Sequence, residues 1–255
     1  MHRGANAREP VKVGVFRGYD DPHSHYSHRL TEAHRAVAHA LDILPRGPVV
    51  MLDICGGAGR VLVPAVAGHP RRREVRGAII DLDAVSIQLA RDALASSHLG
   101  SIQTLVADAG ASDSYRAVER ASLVIVSGVL AHLSRAHTNR LLRFVRQVAT
   151  PEALLLWTIG ERLPAGRIRR VRHAVTAAGF RTIRASVVGR TRFGLGWRHE
   201  VGLAALSVPI EPLRTGEQVF TFRPTIWQRV PMLRVLARRI RSGLGMLSGR
   251  GPAAA

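Results

Sequence analysis

A glycine-rich turn directly after a buried strand constrains this chain more than any other feature. The apolar run VVMLDI predicts a strand over 49–54, and the sequence continues as CGGAG over 55–59 before a predicted helix. Small residues in such a turn allow the backbone to approach a ligand closely. Strand, turn and helix together predict an α/β protein with a ligand site at the end of this strand.

Strands and helices alternate along the rest of the chain. Six further strands are predicted over 76–83, 102–108, 121–128, 154–159, 179–189 and 199–208. Helices are predicted over 24–44, 59–67, 84–97, 113–119, 135–149 and 165–178. This alternation predicts a doubly wound, mostly parallel seven-stranded sheet. The last two strands have no helix between them, so we expect an antiparallel hairpin at the sheet edge.

Composition narrows the class of protein. The chain has 255 residues, 46% of them apolar, which is enough for one large core. It has no run of 18 apolar residues and no apolar leader, so we expect neither a membrane-spanning helix nor a secretory signal. Its single cysteine, Cys55, excludes an internal disulfide framework and a cysteine-rich zinc site. These features predict a cytoplasmic protein.

Aspartates stand at the ends of three predicted strands. Asp53, Asp81 and Asp108 are expected at the carboxyl ends of neighbouring parallel strands, which face one crevice. Helix capping explains one such aspartate easily and three poorly. The turn after Asp53 fits no G-x-G-x-x-G register, which argues against a dinucleotide site.

Four segments in order resemble the motifs of class I S-adenosylmethionine-dependent methyltransferases. The turn fits the pattern acidic-x-G-x-G-x-G, with Cys55 in place of the first glycine. IIDLDAVSIQLAR (79–91), VADA (106–109) and SLVIVSGVLAHLS (122–134) resemble the following motifs. The resemblance covers about residues 45–208. The segments YDDPHSHYSHRL (19–30) and GEQVFTF (216–222) resemble a little-studied bacterial branch of this superfamily.

The resemblance implies a Rossmann-like methyltransferase fold that binds S-adenosylmethionine (SAM) as its cofactor. It implies that Asp53 faces the methionine ammonium, Asp81 accepts hydrogen bonds from the ribose hydroxyls and Asp108 holds the adenine amino group. The other donor-binding residues that it implies are Cys55, Gly57, Gly59, Leu82, Ala109 and Ser127. The resemblance also divides the chain into an N-terminal lid segment and helix (1–44), the SAM-binding domain (45–208) and a basic extension (209–255).

Cys55 and His132 carry specific expectations. We expect Cys55 to have a negative φ, because it has a side chain, and to pack as a small apolar residue rather than act as a nucleophile. His132, just past the fourth strand, is the predicted general base. The alternative for His132 is a packing role beside the donor.

Aromatic and histidine side chains near both ends of the domain are predicted to form the acceptor side of the site. They are Tyr19, His23, Tyr26, Trp197 and His199. A solvated segment before the first helix, and a hairpin anchor at Trp197, are the alternatives. The tract H-x-H-x-x-H (23–28) lacks a neighbouring cysteine, so we expect no metal there.

The basic charge leaves the partner open. The net charge is +19, and all but one of the 37 basic residues are arginines. The segment 230–247 is amphipathic, and either it docks on the protein's own domain or on a second subunit, or it lies on an anionic membrane. The oligomeric state stays open.

Three functions fit these observations. The first is a methyltransferase that acts on an oxygen, nitrogen or carbon atom of a small molecule, such as a specialised metabolite. The second is an RNA methyltransferase that uses Arg71-Arg72-Arg73 and Arg169-Arg170 on phosphates. The third is a non-catalytic SAM-binding protein.

Overall fold

The computed structural model describes residues 25–162, 166–192 and 195–222 of the chain. In them one seven-stranded sheet carries α-helices on both faces. The strands are β1 (Val49–Ile54), β2 (Val75–Asp81), β3 (Ile102–Val106), β4 (Ala121–Val126), β5 (Ala149–Arg162), β6 (Phe180–Arg192) and β7 (Leu195–Leu206). The helices are α1 (His25–Ile43), α2 (Leu62–Ala67), α3 (Ala84–Ser96), α4 (Arg135–Val148) and α5 (Arg167–Ala177).

The sheet has the strand order β3-β2-β1-β4-β5-β7-β6. The first five strands of that order pair in parallel, whereas β7 runs antiparallel to both β5 and β6. Only two residues separate Arg192 from Leu195, and so short a connection cannot cross over to a parallel strand. The predicted doubly wound sheet with an antiparallel hairpin at its edge is confirmed.

The predicted boundaries differ most from the observed ones in the last strands. β5 covers 149–162 rather than 154–159, and β7 begins at Leu195 rather than at residue 199. The added residues include charged ones such as Glu161, which lies opposite Arg198 in the ladder. Such residues have little strand propensity of their own, so the antiparallel pairing orders them. The helix predicted over 113–119 is a short 3₁₀ turn over Ser112–Tyr115.

Apolar side chains of the central strands fill a core on each side of the sheet. Leu52 and Ile54 of β1 point into the core beneath α4 and α5. Met51 of the same strand points into the opposite core, beneath α1, α2 and α3. Both faces are therefore covered, as parallel strands require. The carboxyl ends of β1 to β4 remain at one rim of the sheet.

Arg71 holds the end of α1, and this position contradicts the prediction that it contacts phosphates. Its side chain is 5% exposed and donates to the carbonyl oxygens of Leu44 (2.8 Å) and Pro45 (2.6 Å). Its Nε also donates to Glu74 (2.9 Å). The last carbonyls of a helix lack partners within the helix, and Arg71 supplies one. The prediction that Arg71 contacts phosphates is therefore wrong, whereas Arg72 and Arg73 are exposed.

Some predictions concern segments outside the described residues. These are the roles of Tyr19 and His23 and the amphipathic helix over 230–247. Within the part of the chain that the structure describes, no helix combines the length and apolarity that crossing a membrane requires.

We expect Arg71→Ala to lower the free energy of unfolding by about 2–4 kcal/mol, because it leaves buried carbonyls at the end of α1 without a donor. Urea denaturation followed by circular dichroism measures the change. Arg73→Ala is the matched control, since this arginine is exposed, and it should change stability by less than about 0.5 kcal/mol. Equal effects of the two substitutions would contradict the role of Arg71.

Candidate functional site

The turn after β1 is held against the end of β2. The backbone N–H of Gly56 donates to the carbonyl of Ile80 (3.2 Å), and the N–H of Gly59 donates back to Gly56 (2.9 Å). Gly56 packs directly on the side chain of Asp53: a Cβ at this glycine would lie 2.6 Å from the Asp53 Cγ. The turn therefore covers Asp53 with bare backbone.

Cys55 adopts a left-handed conformation, with φ +57°. The expectation of a negative φ is wrong, because the turn needs the left-handed region here and the bond from the next N–H to Ile80 holds it. This conformation costs an L-residue roughly 1–2 kcal/mol. Burial raises the pKa of the Cys55 thiol well above its ordinary value, and the nearby Asp81, Asp53 and Asp108 carboxylates raise it further. The thiol stays protonated, which makes it a poor nucleophile.

Gly57 and Gly59 both have positive φ, at +54° and +69°, but their surroundings differ. The N–H of Gly57 donates to the Oδ2 of Asp81 at 2.9 Å. A Cβ at Gly59 would lie 2.8 Å from a methyl group of Val63, so this glycine allows α2 to pack close to the turn. The first glycine therefore exposes backbone to the crevice, and the second allows close helix packing.

Asp81 is oriented by backbone donors on both oxygens. Oδ2 accepts from Gly57, and Oδ1 accepts from the N–H of Asp83 at 2.9 Å. Each carboxylate oxygen has a second lone pair that these bonds leave for a ligand. Leu82, the next residue, is 63% exposed and offers an apolar surface at the same rim.

Asp108 and Ala109 form the next part of the rim, after β3. Asp108 is exposed, and its Oδ1 accepts from the N–H of Gly110 at 2.8 Å. Ala109 is buried, and its carbonyl accepts from the Tyr115 hydroxyl at 2.8 Å. Tyr115 packs edge-on against Phe144 with 5.0 Å between the ring centroids. A buried aromatic pair thus supports the loop that carries Asp108.

Ser127 and Gly128 end β4 and are joined to β5 through Thr158. The Ser127 hydroxyl lies 3.0 Å from the Thr158 hydroxyl, which also accepts from the N–H of Gly128 at 2.9 Å. Thr158 is fully buried. Sequence reasoning missed it, because a threonine inside an apolar strand gives no local signal of a polar partner.

Asp53 is the most unusual group in the crevice. It is 1% exposed, and among the residues that the structure describes neither of its carboxylate oxygens has a hydrogen-bond partner. Burial raises its pKa from 3.8 to about 8, and the negative charge of Asp81 adds to the shift. The free protein therefore holds Asp53 largely protonated at neutral pH, and a cation placed beside it would restore its charge.

Two other deeply buried carboxylates differ from Asp53, because both have hydrogen-bond donors around them. Glu161 accepts from the backbone N–H groups of Arg167 (2.7 Å) and Ile168 (3.0 Å). Glu200 accepts from the Trp157 indole N–H (3.2 Å). Each of the two carboxylates also pairs with an arginine. Buried charges are normally satisfied in this way, so Asp53 departs from the pattern within the same protein.

A basic group faces the crevice from α1, and the sequence analysis missed it. Arg29 is 7% exposed, and its Nη1 lies 3.9 Å from the position a Cβ would take on Gly128. Its guanidinium also lies over the Tyr26 ring, 5.6 Å from the centroid. Arg29 shares a helix face with the buried Ala33 and Val37, at spacings of four. A charge within that apolar stripe was the available signal.

His132 lies at the same end of β4, in a 3₁₀ turn over Leu130–His132. Its side chain is exposed at the rim. Partial desolvation lowers its pKa below the ordinary 6.5, and the positive charges of Arg167 and Arg29 lower it further. The imidazole is therefore neutral at pH 7 and able to accept a proton.

Three of the five predicted acceptor-side residues lie together. The Tyr26 and His199 rings are 5.8 Å apart between centroids, and Trp197 stacks on His199 at 6.5 Å with an interplanar angle of 13°. His199 is buried over Gly160, where a Cβ would lie 2.7 Å from the imidazole, whereas Trp197 is 42% exposed. Tyr19 and His23 lie outside the described residues.

We expect Asp53→Asn to change how stability depends on pH. Since the pKa of Asp53 is raised, the native state holds a proton that the unfolded state releases above about pH 4, so stability falls as pH rises to about 8. The substitution should remove this contribution, whose slope is at most about 1.4 kcal/mol per pH unit. Urea denaturation at pH 5 and pH 8 measures it. A wild-type and a variant with parallel pH dependence would show that Asp53 is ionised in the free protein.

The chain matches no protein-family model and no curated protein. Its structure is similar to that of N-methyltransferase NodS from Bradyrhizobium japonicum, with 15% identity, a TM-score of 0.55 and coverage of 74% of this chain and 99% of that one. It is also similar to magnesium protoporphyrin IX methyltransferase (ChlM) from Synechocystis with bound SAM, with 16% identity, a TM-score of 0.53 and coverage of 72% of this chain and 80% of that one. The CurJ carbon methyltransferase has 16% identity to this chain and a TM-score of 0.54, and the match covers 72% of this chain and 55% of that one. The chain therefore has the Rossmann-like fold of class I methyltransferases.

Proposed function

We propose that this protein is a SAM-dependent methyltransferase with a small-molecule acceptor. The observation that carries the proposal is the buried Asp53 carboxylate, which lies beneath the glycine turn and has no hydrogen-bond partner in the described part of the chain. A buried carboxylate of raised pKa in a cleft is typical of a binding site rather than of a structural one. SAM brings a primary ammonium group, which is the kind of charge that this carboxylate lacks.

The other residues of the crevice fit the remaining parts of SAM. Asp81, held by two backbone donors, has lone pairs for both ribose hydroxyls. Asp108 would accept from the adenine amino group, with Ala109 beside it. Leu82 offers an exposed apolar side chain for the flat face of the base. Gly57 and Ser127 would border the methionine and the transferred methyl group.

The same turn disfavours a dinucleotide. It reads C-G-G-A-G-R, so it lacks the G-x-G-x-x-G register in which the backbone binds a pyrophosphate at a helix N-terminus. The Asp81 and Asp108 carboxylates near the turn would also repel a pyrophosphate. A ligand with positive charge at its amino-acid end suits this surrounding better.

Little covalent work is left to the protein in such a reaction. Bound SAM supplies a methyl group on a positively charged sulfur, which needs no further activation. The chain's residues would align the acceptor atom with that methyl carbon and exclude water. His132, neutral at pH 7, would take the acceptor's proton where the acceptor carries one.

The arrangement of aromatic side chains supports a small-molecule acceptor. Trp197 is 42% exposed and stacks on His199, whose ring also lies near Tyr26, and an aromatic cluster of this kind suits a planar or apolar molecule. Arg29 and Arg167 add positive charge near His132. For RNA methylation, one of the arginines predicted to contact phosphates, Arg71, is buried. Arg169 and Arg170, which were predicted to do the same, are exposed.

We expect the purified protein to bind SAM and S-adenosylhomocysteine but not NAD, as measured by titration calorimetry.

Asp81→Ala should weaken SAM binding by about 2–4 kcal/mol, because two charge-assisted hydrogen bonds to the ribose are lost. Asp92→Ala, a change of an exposed aspartate on α3, is the matched control and should leave the affinity unchanged. Binding of NAD without binding of SAM would overturn the proposed function.

The acceptor can be sought with methyl-labelled SAM and an extract of the source cells separated into small molecules, lipid and RNA. We expect label in the small-molecule fraction. Label in RNA alone would favour RNA methylation, and binding without transfer would favour a non-catalytic SAM-binding protein.

His132→Ala should lower turnover roughly hundredfold or more with little change in SAM affinity. His98→Ala, which changes an exposed histidine after α3, should not lower turnover. Because the pKa of His132 is lowered, the wild-type rate should fall only below pH 6.5. Near-normal turnover of His132→Ala at every pH would assign this residue to packing.

A further inference from the structure

The chain does not stop at β7: a C-terminal strap, residues 207–221, returns to the rim of the donor crevice. We infer that this strap is a positioning element that orients Asp108 and thereby sets the preference of the site for adenine. The inference rests on the proposed function, because it takes the partner of Asp108 to be the adenine of SAM.

The strap is anchored along its path before it reaches the crevice. The Ser207 hydroxyl donates to the carbonyl of Gly179 (2.9 Å). Glu211 pairs with Arg146 at the end of α4 (3.1 Å), and the N–H of Arg214 donates to the side chain of Gln147 (2.9 Å). The strap thus crosses the carboxyl end of α4 along a defined course.

The strap then grips the loop that follows Asp108. The N–H of Gly216 donates to the Asp113 carboxylate, and the N–H of Glu217 donates to the Ser112 hydroxyl, both at 2.9 Å. The N–H of Ser112 donates back to the carbonyl of Glu217 at 2.9 Å. Ser112 is fully buried, so its own two bonds to Glu217 are shielded from water at the Ser112 end, whereas the Gly216–Asp113 bond is exposed.

One residue connects this grip to Asp108. The carbonyl of Gly110 accepts from the N–H of Val219 at 2.7 Å, and the N–H of Gly110 donates to the Asp108 Oδ1 at 2.8 Å. Asp108 Oδ1 is thereby engaged, and within the described residues nothing donates to its Oδ2. The strap therefore determines, through Gly110, which oxygen of Asp108 faces the crevice and in which direction.

Packing makes the connection stiff. A Cβ at Gly110 would lie 2.3 Å from the carbonyl oxygen of Phe220 and 2.8 Å from the Gln218 amide nitrogen. Val219 and Phe220 are each 1% exposed and belong to the core beneath α4 and α5. At Gly110 the strap leaves no room for a side chain, so a shift of the strap at this point must move Gly110 as well.

The test compares the affinities of S-adenosylhomocysteine and S-inosylhomocysteine, in which a carbonyl replaces the amino group at position 6 of the base and N1 carries a proton. The amino group of adenine can donate to Asp108, whereas the inosine oxygen cannot. We expect the wild-type to prefer the adenosine compound by about tenfold, the worth of one good hydrogen bond, and Asp108→Ala to lose the preference.

Ser112→Ala removes the acceptor of the Glu217 N–H and should reduce the preference to about threefold. Gly110→Ala should abolish it. Ser101→Ala is the matched control: its hydroxyl donates to Val75 (2.7 Å) at the opposite end of β3, away from Asp108. It should keep the wild-type preference even where it lowers the melting temperature.

The outcomes separate the inference from the proposed function. If the wild-type binds neither compound, the proposed function fails and the inference falls with it. If the wild-type prefers adenosine and Ser112→Ala keeps the full preference while melting earlier, the strap is only structural and the inference alone is overturned. A preference that falls in Ser112→Ala but not in Ser101→Ala supports it.

Discussion

The close pairing of β1 with β2 sets the geometry on which the crevice depends. The two strands approach so closely at Gly77 that a Cβ there would lie 1.8 Å from the carbonyl oxygen of Met51. Ile54 pairs with Ile80, so the turn after β1 emerges directly beside the end of β2. Gly57 can therefore donate to Asp81 across the strand ends. Any other register would separate the glycine turn from its carboxylate partner.

The site carries an electrostatic cost that two other buried carboxylates of the protein avoid. Glu161 and Glu200 are as deeply buried as Asp53, yet each is surrounded by N–H donors and an arginine. Asp53 has none of these among residues 25–162, 166–192 and 195–222, and its raised pKa expresses that deficit. Groups of this kind lower stability and are typical of binding sites, where a ligand supplies the missing interaction.

Segments outside the common sheet give the crevice its individual character. The first helix brings Tyr26 and Arg29 to the side at which β4 ends and β7 begins. The C-terminal strap holds the loop after β3 on the other side. The fold is shared with enzymes named for nitrogen or carbon methylation, so the fold cannot select the acceptor. In our proposal, these added segments carry the selectivity.

The sequence by itself determined the succession of strands and helices along the chain, the antiparallel hairpin and the three aspartates at strand ends. Apolar periodicity and short turns are local signals, so they can be read without the tertiary structure. The sequence did not reveal Thr158, Arg29 or the strap contacts, since their partners lie far away in the chain. It was wrong about Cys55 and Arg71 for the same reason: a long-range bond to Ile80 holds the turn, and the end of α1 recruits the arginine. Whether a polar group is accessible, satisfied or orphaned depends on what surrounds it in three dimensions, and only the tertiary structure decided that.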